Sequence, residues 1–305
     1  MPAGQERILR RRIRSVESTQ KITRAMELIA ASRIVRAQQA IEAARPYSQW
    51  MQEVTSELAA TPESHDHWVF TGQGNRALVL VIGADRGLAG AFNVSVLRSA
   101  DETVRHLSEQ GLRPEVIAIG RKAVSYFNFR QRALAGSFQG FSDKPKFEDA
   151  QRAVRDLSEM VAAEGIGQIT LVSTRFRSIG SQRVEVRRLV PLERPEGQRT
   201  TVFEFEPDPA DILDRLLPRW LEAELYTALL ESAASFHVAQ QRAMKSATDN
   251  ADDLIKTLRR SMNRARQDSI TTEIMEIVGG AEALRQGETS EGAGHADVYV
   301  FPEAS

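Results

Sequence analysis

Any chemistry in this chain would start from Gly83-Ala-Asp-Arg-Gly-Leu-Ala-Gly90, a glycine-rich turn after the apolar run Ala77–Ile82. Turns in that place cradle phosphates in many α/β proteins. The spacing here fails that chemistry. A phosphate loop needs Lys and then Ser or Thr directly after its last glycine, so that an ammonium reaches the phosphates and a hydroxyl the magnesium. Here Gly90 is followed by Ala91-Phe92. The dinucleotide fingerprint fails as well, because its glycine spacing is absent and no Asp or Glu ends the next strand. What remains is a tight strand–helix turn. In it Asp85 bonds backbone amides and the glycines supply left-handed backbone.

The other chemical candidates are weaker. His65-Asp66-His67 is the one metal-like cluster, but it lacks a visible third ligand and sits in a polar connector after Pro62. It reads as a solvated loop. His106 and His237 fall on helical patterns without recognisable partners, and no Ser/His/Asp spacing stands out. Arg7, Arg10, Arg11, Arg12 and Arg14 could bind phosphates, yet on a helix they cover most of the circumference. The nearest aromatic for interleaved base stacking is Tyr47, so nucleic acid is not the expected partner. No catalytic residue, cofactor or metal site is expected.

Composition narrows the classes further. The chain has 305 residues, 42% hydrophobic, with a net charge of −1. Residues 1–45 are basic, with ten Lys/Arg against four Glu, which suggests one specific acidic partner or an RNA. There is no cysteine, which removes disulfides, thiolate zinc sites and cysteine nucleophiles together and fits a reducing compartment. No apolar run approaches the ~18 residues of a membrane span. The expected place is the cytoplasm, or a surface docked from that side.

The elements that carry these residues are unusual. Residues 5–45 and 219–278 contain neither Gly nor Pro. As helices they would be rods of roughly 60 and 90 Å. Ile13, Val16, Ile22, Met26, Ile29, Ala30, Ile34, Ala37, Ile41 and Ala44 give the first a helical stripe. Met244, Ala247, Ala251, Leu254, Leu258, Met262 and Ala265 give the second one, with Ile270, Ile274 and Ile277 resuming on a shifted register. Pro46 is expected to end or kink the first rod, with the pattern restarting through Met51 and Leu58. Gly279-Gly280 is expected to stop the second. Between the rods, Ala77–Ile82, Val116–Ile119 and Ile169–Ser173 read as buried strands alternating with helices over 88–110 and 147–163. Val184–Val190 and Thr201–Phe205 look extended. The expected fold is α/β: a long antiparallel coiled coil of the two terminal helices plus a central Rossmann-like βαβ domain. The expected domains are 1–60, 75–206 and 208–285, with a disordered tail over 286–305 in which Val298–Phe301 could form a short sticky segment.

Three stretches then identify a family. Arg12–Gln38 (RIRSVESTQKITRAMELIAASRIVRAQ) resembles the first helix of the gamma subunit of F-type ATP synthase. Gly83–Asn93 (GADRGLAGAFN) resembles that family's strand–turn signature. Met244–Leu284 is very close to its closing motif, in wording nearest to actinobacterial versions. The resemblance implies a non-catalytic rotor shaft. It would turn inside three alpha and three beta subunits, with the central domain gripping epsilon and the c ring, in a complex that also holds delta, a and b. It implies that rotation links the proton-driven ring to ATP synthesis or hydrolysis, with a further part in regulating ATPase activity and proton flow. It implies a peripheral place on the cytoplasmic side of the cell membrane, held only through the c ring. By family position, Met26 would lie beside the acidic lever of beta with Lys21 and Arg24 near it. Arg266, Gln267 and Thr271 would engage the catch loops of alpha and beta. Two other readings compete. One is a free-standing binding domain that holds RNA through its basic N-terminus. The other is a nucleotide-dependent enzyme on the central sheet, against which the failed glycine spacing argues.

Overall fold

The structure, a computed structural model, describes residues 2–59, 61, 64, 66–163, 165–192, 206 and 208–291. His65, the Thr201–Phe205 segment and residues 292–305, including Val298–Phe301, lie outside the described residues. The chain divides into two compact units, Thr23–Ser246 and the pairing of Met1–Ile22 with Ala247–Ser305.

The larger unit is built on a five-stranded sheet. Its elements run α1 (Pro2–Ala59), α2 (Trp68–Thr71), β1 (Arg76–Ile82), α3 (Phe92–Glu109), β2 (Arg113–Ile119), α4 (Arg121–Phe129), β3 (Leu134–Phe138), α5 (Phe147–Ala163), β4 (Ile166–Ser178), β5 (Ser181–Val190) and α6 (Pro209–Glu291). The strand order is β3-β2-β1-β4-β5. β1 pairs in parallel with β2 and β4, β2 with β3, and β5 closes the sheet antiparallel to β4.

β1 reads as an unbroken apolar run because it is covered on both faces. Leu78, Leu80 and Ile82 face one core with Ala153, Leu157 and the α6 residues Leu217 and Leu221. Ala77, Val79 and Val81 face the other with Val96, Val104 and Phe127 of α3 and α4. Alternation with period two assigns successive residues to opposite cores. β3 was not anticipated from sequence. Its residues Leu134, Ala135 and Gly136 are only partly buried, and it lies at a sheet edge.

Two features of the long helices bear on the expected stops. α1 continues as one helix to Ala59, as the pattern through Met51 and Leu58 implies, so Pro46 does not end it, and α6 runs through Pro218. Each proline removes one backbone bond, but the turns beyond are held by burial of Met51 and Leu58 in one case and of Trp220 and Leu221 in the other. α6 also runs through Gly279-Gly280 to Glu291. Both glycines stand in open space, where helical backbone costs about 1 kcal/mol each and nothing forces a turn. α6 starts where Asp208 accepts the Ala210 N–H at 2.9 Å, with Pro209 in the first turn.

The stripe on α1 is also shifted from the expected one. Counting three and four from Ile13 gives Val16, Gln20, Thr23, Glu27, Ala30, Ile34, Ala37, Ile41, Ala44, Ser48, Met51, Thr55 and Leu58. Every one of these is buried or half-buried. Ile22 and Ile29, expected in the seam, are 58% and 51% exposed. On α6 the same rule gives Met244, Thr248, Ala251, Ile255, Leu258, Met262, Ala265 and Ser269, all buried or half-buried, while Leu254 turns outward. These are heptad seams with polar members.

Candidate partner-contact surfaces

In the smaller unit α1 and α6 run antiparallel. Gln20 Nε2 donates to Asp252 Oδ1 at 2.8 Å, and Arg259 Nη2 donates to Glu17 Oε1 at 2.8 Å. Moving three residues back along α1 therefore advances seven along α6. Inward burial ends at Ser269. From Ile270 through Leu284 every residue of α6 is exposed, including Ile274, Met275, Ile277 and Val278 at 55–72%. Helix beyond Ser269 extends for roughly 33 Å by its residue count. Large apolar side chains exposed together between Ile270 and Leu284 are the kind of surface that a partner covers.

The expected contact residues sit around these features. Arg266, Gln267 and Thr271 are exposed on the same helix just before and within the uncovered stretch. Thr271 Oγ1 donates to the Gln267 carbonyl at 3.0 Å, so its methyl and the Gln267 amide share one face. Lys21 is exposed on α1 in this unit.

In the larger unit Arg24 is exposed and bridges to Glu27 at 3.1 Å, and Met26 is half-buried. The bridge explains how Glu27 tolerates a seam position at 8% exposure. Leu28, Ile29 and Val35 are 51–60% exposed on the outer face of the helix. Sequence reasoning placed Ile29 inside because apolarity was its only signal. The seven-residue spacings Ile13–Gln20–Glu27–Ile34 and Val16–Thr23–Ala30–Ala37 are the signal that reassigns it.

The glycine-rich turn is a structural joint. Asp85 Oδ1 accepts the N–H of Arg121 at 3.0 Å and of Gly140 at 2.9 Å. Its Oδ2 accepts the Ser142 N–H at 2.9 Å and the Ser142 hydroxyl at 2.8 Å. One carboxylate thus joins the loops that follow β1, β2 and β3. Burial pushes its pKa up, but the bonds from Gly140, Ser142 and Arg121 outweigh that and hold it below the usual carboxylate value. Gly90 and Leu88 carry the positive φ angles of the turn. Phe92 stacks edge-on against Phe236 of α6 at 5.6 Å between centroids.

The histidines have local partners. His67 caps α2 by accepting the Val69 N–H, and its Nε2 lies 3.1 Å from Asp214 Oδ1. His106 Nε2 meets Gln110 at 3.0 Å. His237 is buried on α6, and its Nε2 donates to the Asp143 carbonyl at 3.1 Å. Burial first, and then the positive charges of Arg33 and Arg86, hold its pKa below the usual histidine value despite the Asp143 bond. The unfolded chain therefore takes up a proton near pH 6.5 that folded His237 refuses, so this contribution is intact above pH 6.5 and lost as pH falls below it. Urea midpoints from pH 8 to pH 5 should fall more steeply for the native chain than for His237→Gln. Parallel slopes would remove the assignment. Among the described residues no group of three His, Asp or Glu side chains could hold a metal ion.

Comparisons with known proteins match these features. The family model for ATP synthase covers residues 5–284. An ATP synthase gamma chain of a Parafrankia species is 49% identical over 297 residues, spanning 93% of this chain and 99% of the relative. One from Mycolicibacterium gilvum is 48% identical over 301 residues, spanning 91% and 97%. In fold, the chain resembles one in the Euglena gracilis mitochondrial ATP synthase with a TM-score of 0.69 at 14% identity, over 98% of this chain and 100% of that one. A chain of the Tetrahymena thermophila central stalk and c ring gives 0.57 at 22% identity, over 74% and 99%. With near-complete coverage in both directions, the chain belongs to the ATP synthase gamma-chain family, the non-catalytic central-stalk subunit of that machine.

Proposed function

We propose that this chain turns as a shaft inside a ring of three alpha and three beta subunits, with residues 1–60 and 208–285 as the shaft and 75–206 as its foot. The foot grips epsilon and the c ring, and delta, a and b complete the same assembly. The chain is then peripheral, on the cytoplasmic side of the cell membrane, held there only through the c ring; no helix among the described residues is long and apolar enough to cross a membrane.

One observation carries this reading: the uncovered apolar stretch of α6 beyond Ser269, with Arg266, Gln267 and Thr271 at its start. A single helix does not keep Ile274, Ile277 and Val278 in water without a partner surface to receive them. The polar trio can then engage loops of alpha and beta, and Lys21 and Arg24 with Met26 can meet an acidic lever of beta. A rotating shaft couples to its ring only if its contacts differ between ring conformations, since a ligand shifts states only by differential affinity. Cationic and amide side chains on one face of a helix supply such a difference. The same subunit can modulate ATPase activity and proton flow through these contacts.

Reconstitution of ATPase activity from alpha and beta with and without this chain tests the proposal. Co-assembly and faster turnover are expected with the chain present. Arg266→Ala with Gln267→Ala should lower turnover about tenfold, the equivalent of roughly 1.4 kcal/mol in the coupled step. Unchanged turnover in that variant would remove the contact assignment, and failure to co-assemble would remove the shaft itself.

A further inference from the structure

Past Val172 the sheet narrows to two strands. β1 pairs with β4 only as far as Val81↔Val172, whereas β4 and β5 go on pairing from Ser173↔Glu185 to Ser178↔Ser181. Among the described residues this outer ribbon has no third strand, and two strands alone are at best marginally stable in water. Val184 anchors its root by packing against the core under α3. Arg175 Nη1 donates to Glu185 at 3.0 Å across the two strands, and Gln182 Nε2 donates to the Ser178 and Ile179 carbonyls to fix the turn between them.

Three bonds then fix the ribbon to α6, all of them within the larger unit. Arg187 Nη1 of β5 donates to Glu224 Oε2 at 2.7 Å. The Phe176 N–H of β4 donates to the Glu231 carboxylate. Arg242 Nη2 donates to the Ile179 carbonyl at the turn. Glu224, Glu231 and Arg242 are seven and eleven residues apart, so they share one face of the helix. The two sides keep pace. Leu171, which pairs with Arg187, stands eight residues before Ile179, roughly 26 Å of strand. Glu224 stands eighteen residues before Arg242, roughly 27 Å of helix. Burial holds the Glu231 carboxyl above its ordinary value, against Arg175, Arg187 and the Phe176 bond, so the acid is kept where burial disfavours it. α1 faces these bonds across a cleft of about 590 Å³. Water reaches them, and the Arg175 and Arg187 side chains stay 46% and 32% exposed. Ion pairs that wet contribute little to folding stability, yet they still set the distance between the elements they join.

We propose that the outer β4–β5 ribbon is a splint, which ties α6 from Glu224 to Arg242 to the sheet at three points so that the foot and this part of the shaft twist as one body. Arg187, Glu224, Glu231 and Arg242 are positioning residues for the transfer of torque. A helix held at one end twists along its whole length under load, whereas a helix tied at three points to a sheet twists only as far as the sheet does. The inference rests on the shaft reading above.

Angular thermal motion of the chain assembled with alpha and beta tests it. The chain has no cysteine, so Glu109→Cys at the exposed end of α3 gives a single attachment for a bead. With rotation stalled, the variance of the bead angle reports torsional stiffness, because stiffness is thermal energy divided by that variance. Arg187→Gln with Arg242→Gln should raise the variance about twofold or more, while the urea midpoint of the free chain stays near the native value. Arg187→Glu should raise it as well by repelling Glu224, and Glu224→Arg added to that variant should bring it back. Native variance in the glutamine variant would overturn the splint, and so would failure of the exchanged pair to restore stiffness. A variance that rises only together with a large fall in the urea midpoint overturns it too, because the bonds then serve folding. A native chain that does not co-assemble, or whose bead does not turn with ATP, removes the shaft reading and the splint with it.

Discussion

Asp85→Ala should destabilise the chain by about 3–5 kcal/mol, although Asp85 belongs to no active site. The substitution strips three backbone N–H groups and one hydroxyl of a charged acceptor. Hydrogen bonds to charged groups contribute about 1.5–3 kcal/mol each. The four are not additive, and solvent reaches part of the half-buried site, so the total stays well under their sum. Asp85→Asn keeps one acceptor oxygen but turns an amide donor toward other donors, so it should fall between native and Ala. Urea denaturation followed by circular dichroism checks the order. The pH dependence gives a second check. The folded carboxyl has a pKa below its ordinary 3.8, so its advantage over Ala is complete at neutral pH and shrinks as pH falls through 3.8. An Ala variant with native stability at pH 7 would mean that the loops are joined by something else.

Gly120→Ala should cost about as much, for a different reason. Gly120 sits at φ +94°, and a Cβ there would stand 2.4 Å from the Gly83 carbonyl oxygen and 2.7 Å from its carbon. Both contacts are backbone, so neither can rotate away. Left-handed strain alone is of order 1–3 kcal/mol, and the clash adds to it, for a total of about 3–5 kcal/mol. Gly140 provides the control, with the same φ of +94° and nothing within 4 Å of its Cβ position. Gly140→Ala should therefore show the strain without the clash, at about 1–2 kcal/mol. Equal losses at the two positions would show that conformational strain, not close approach of β1 and β2, selects glycine after β2.

Which parts of this architecture were legible in sequence follows from how much of each element is buried. β1 was plain because both faces are covered, so alternation disappears into a continuous apolar run. α5 was plain because Ala150, Ala153, Val154 and Leu157 fall on one face and polar residues on the other. β3 was hidden because an edge strand of Leu, Ala, Gly, Ser and Phe buries little and needs little apolarity. The seam of α1 was misread because Gln20, Thr23 and Glu27 occupy positions that a hydrophobic count assigns to isoleucine. Gly279-Gly280 reads as a stop because glycine ends many helices, yet each glycine costs a helix interior only about 1 kcal/mol and α6 continues through both. The joint at Asp85 was legible as a turn that bonds amides, but not as one linking three loops, since Gly140 and Ser142 lie more than fifty residues away. Lys21, Arg24, Met26, Arg266, Gln267 and Thr271 came from family position. Apart from the half-buried Met26 they are exposed, and solvent exposure alone does not distinguish a contact residue from a solvated one.

The polar seam has a consequence for biosynthesis. α1 is complete at residue 59, but its pairing partner α6 begins only at residue 209. At ribosomal speeds of about 5–20 residues per second the first helix waits roughly 10–30 s for its mate. Pairings between distant chain ends are also slow to close. A seam of leucine and isoleucine would spend that interval seeking any other helix, including α1 of a neighbouring nascent chain. Gln20, Thr23, Glu27, Ser48 and Thr55 make that delay tolerable. Two copies of α1 lying parallel in register would press Glu27 against Glu27, each at a position that is buried in the finished molecule. The residues that cost the mature helix pair some apolar contact are the ones that leave its first half unattached until the right second half has been made.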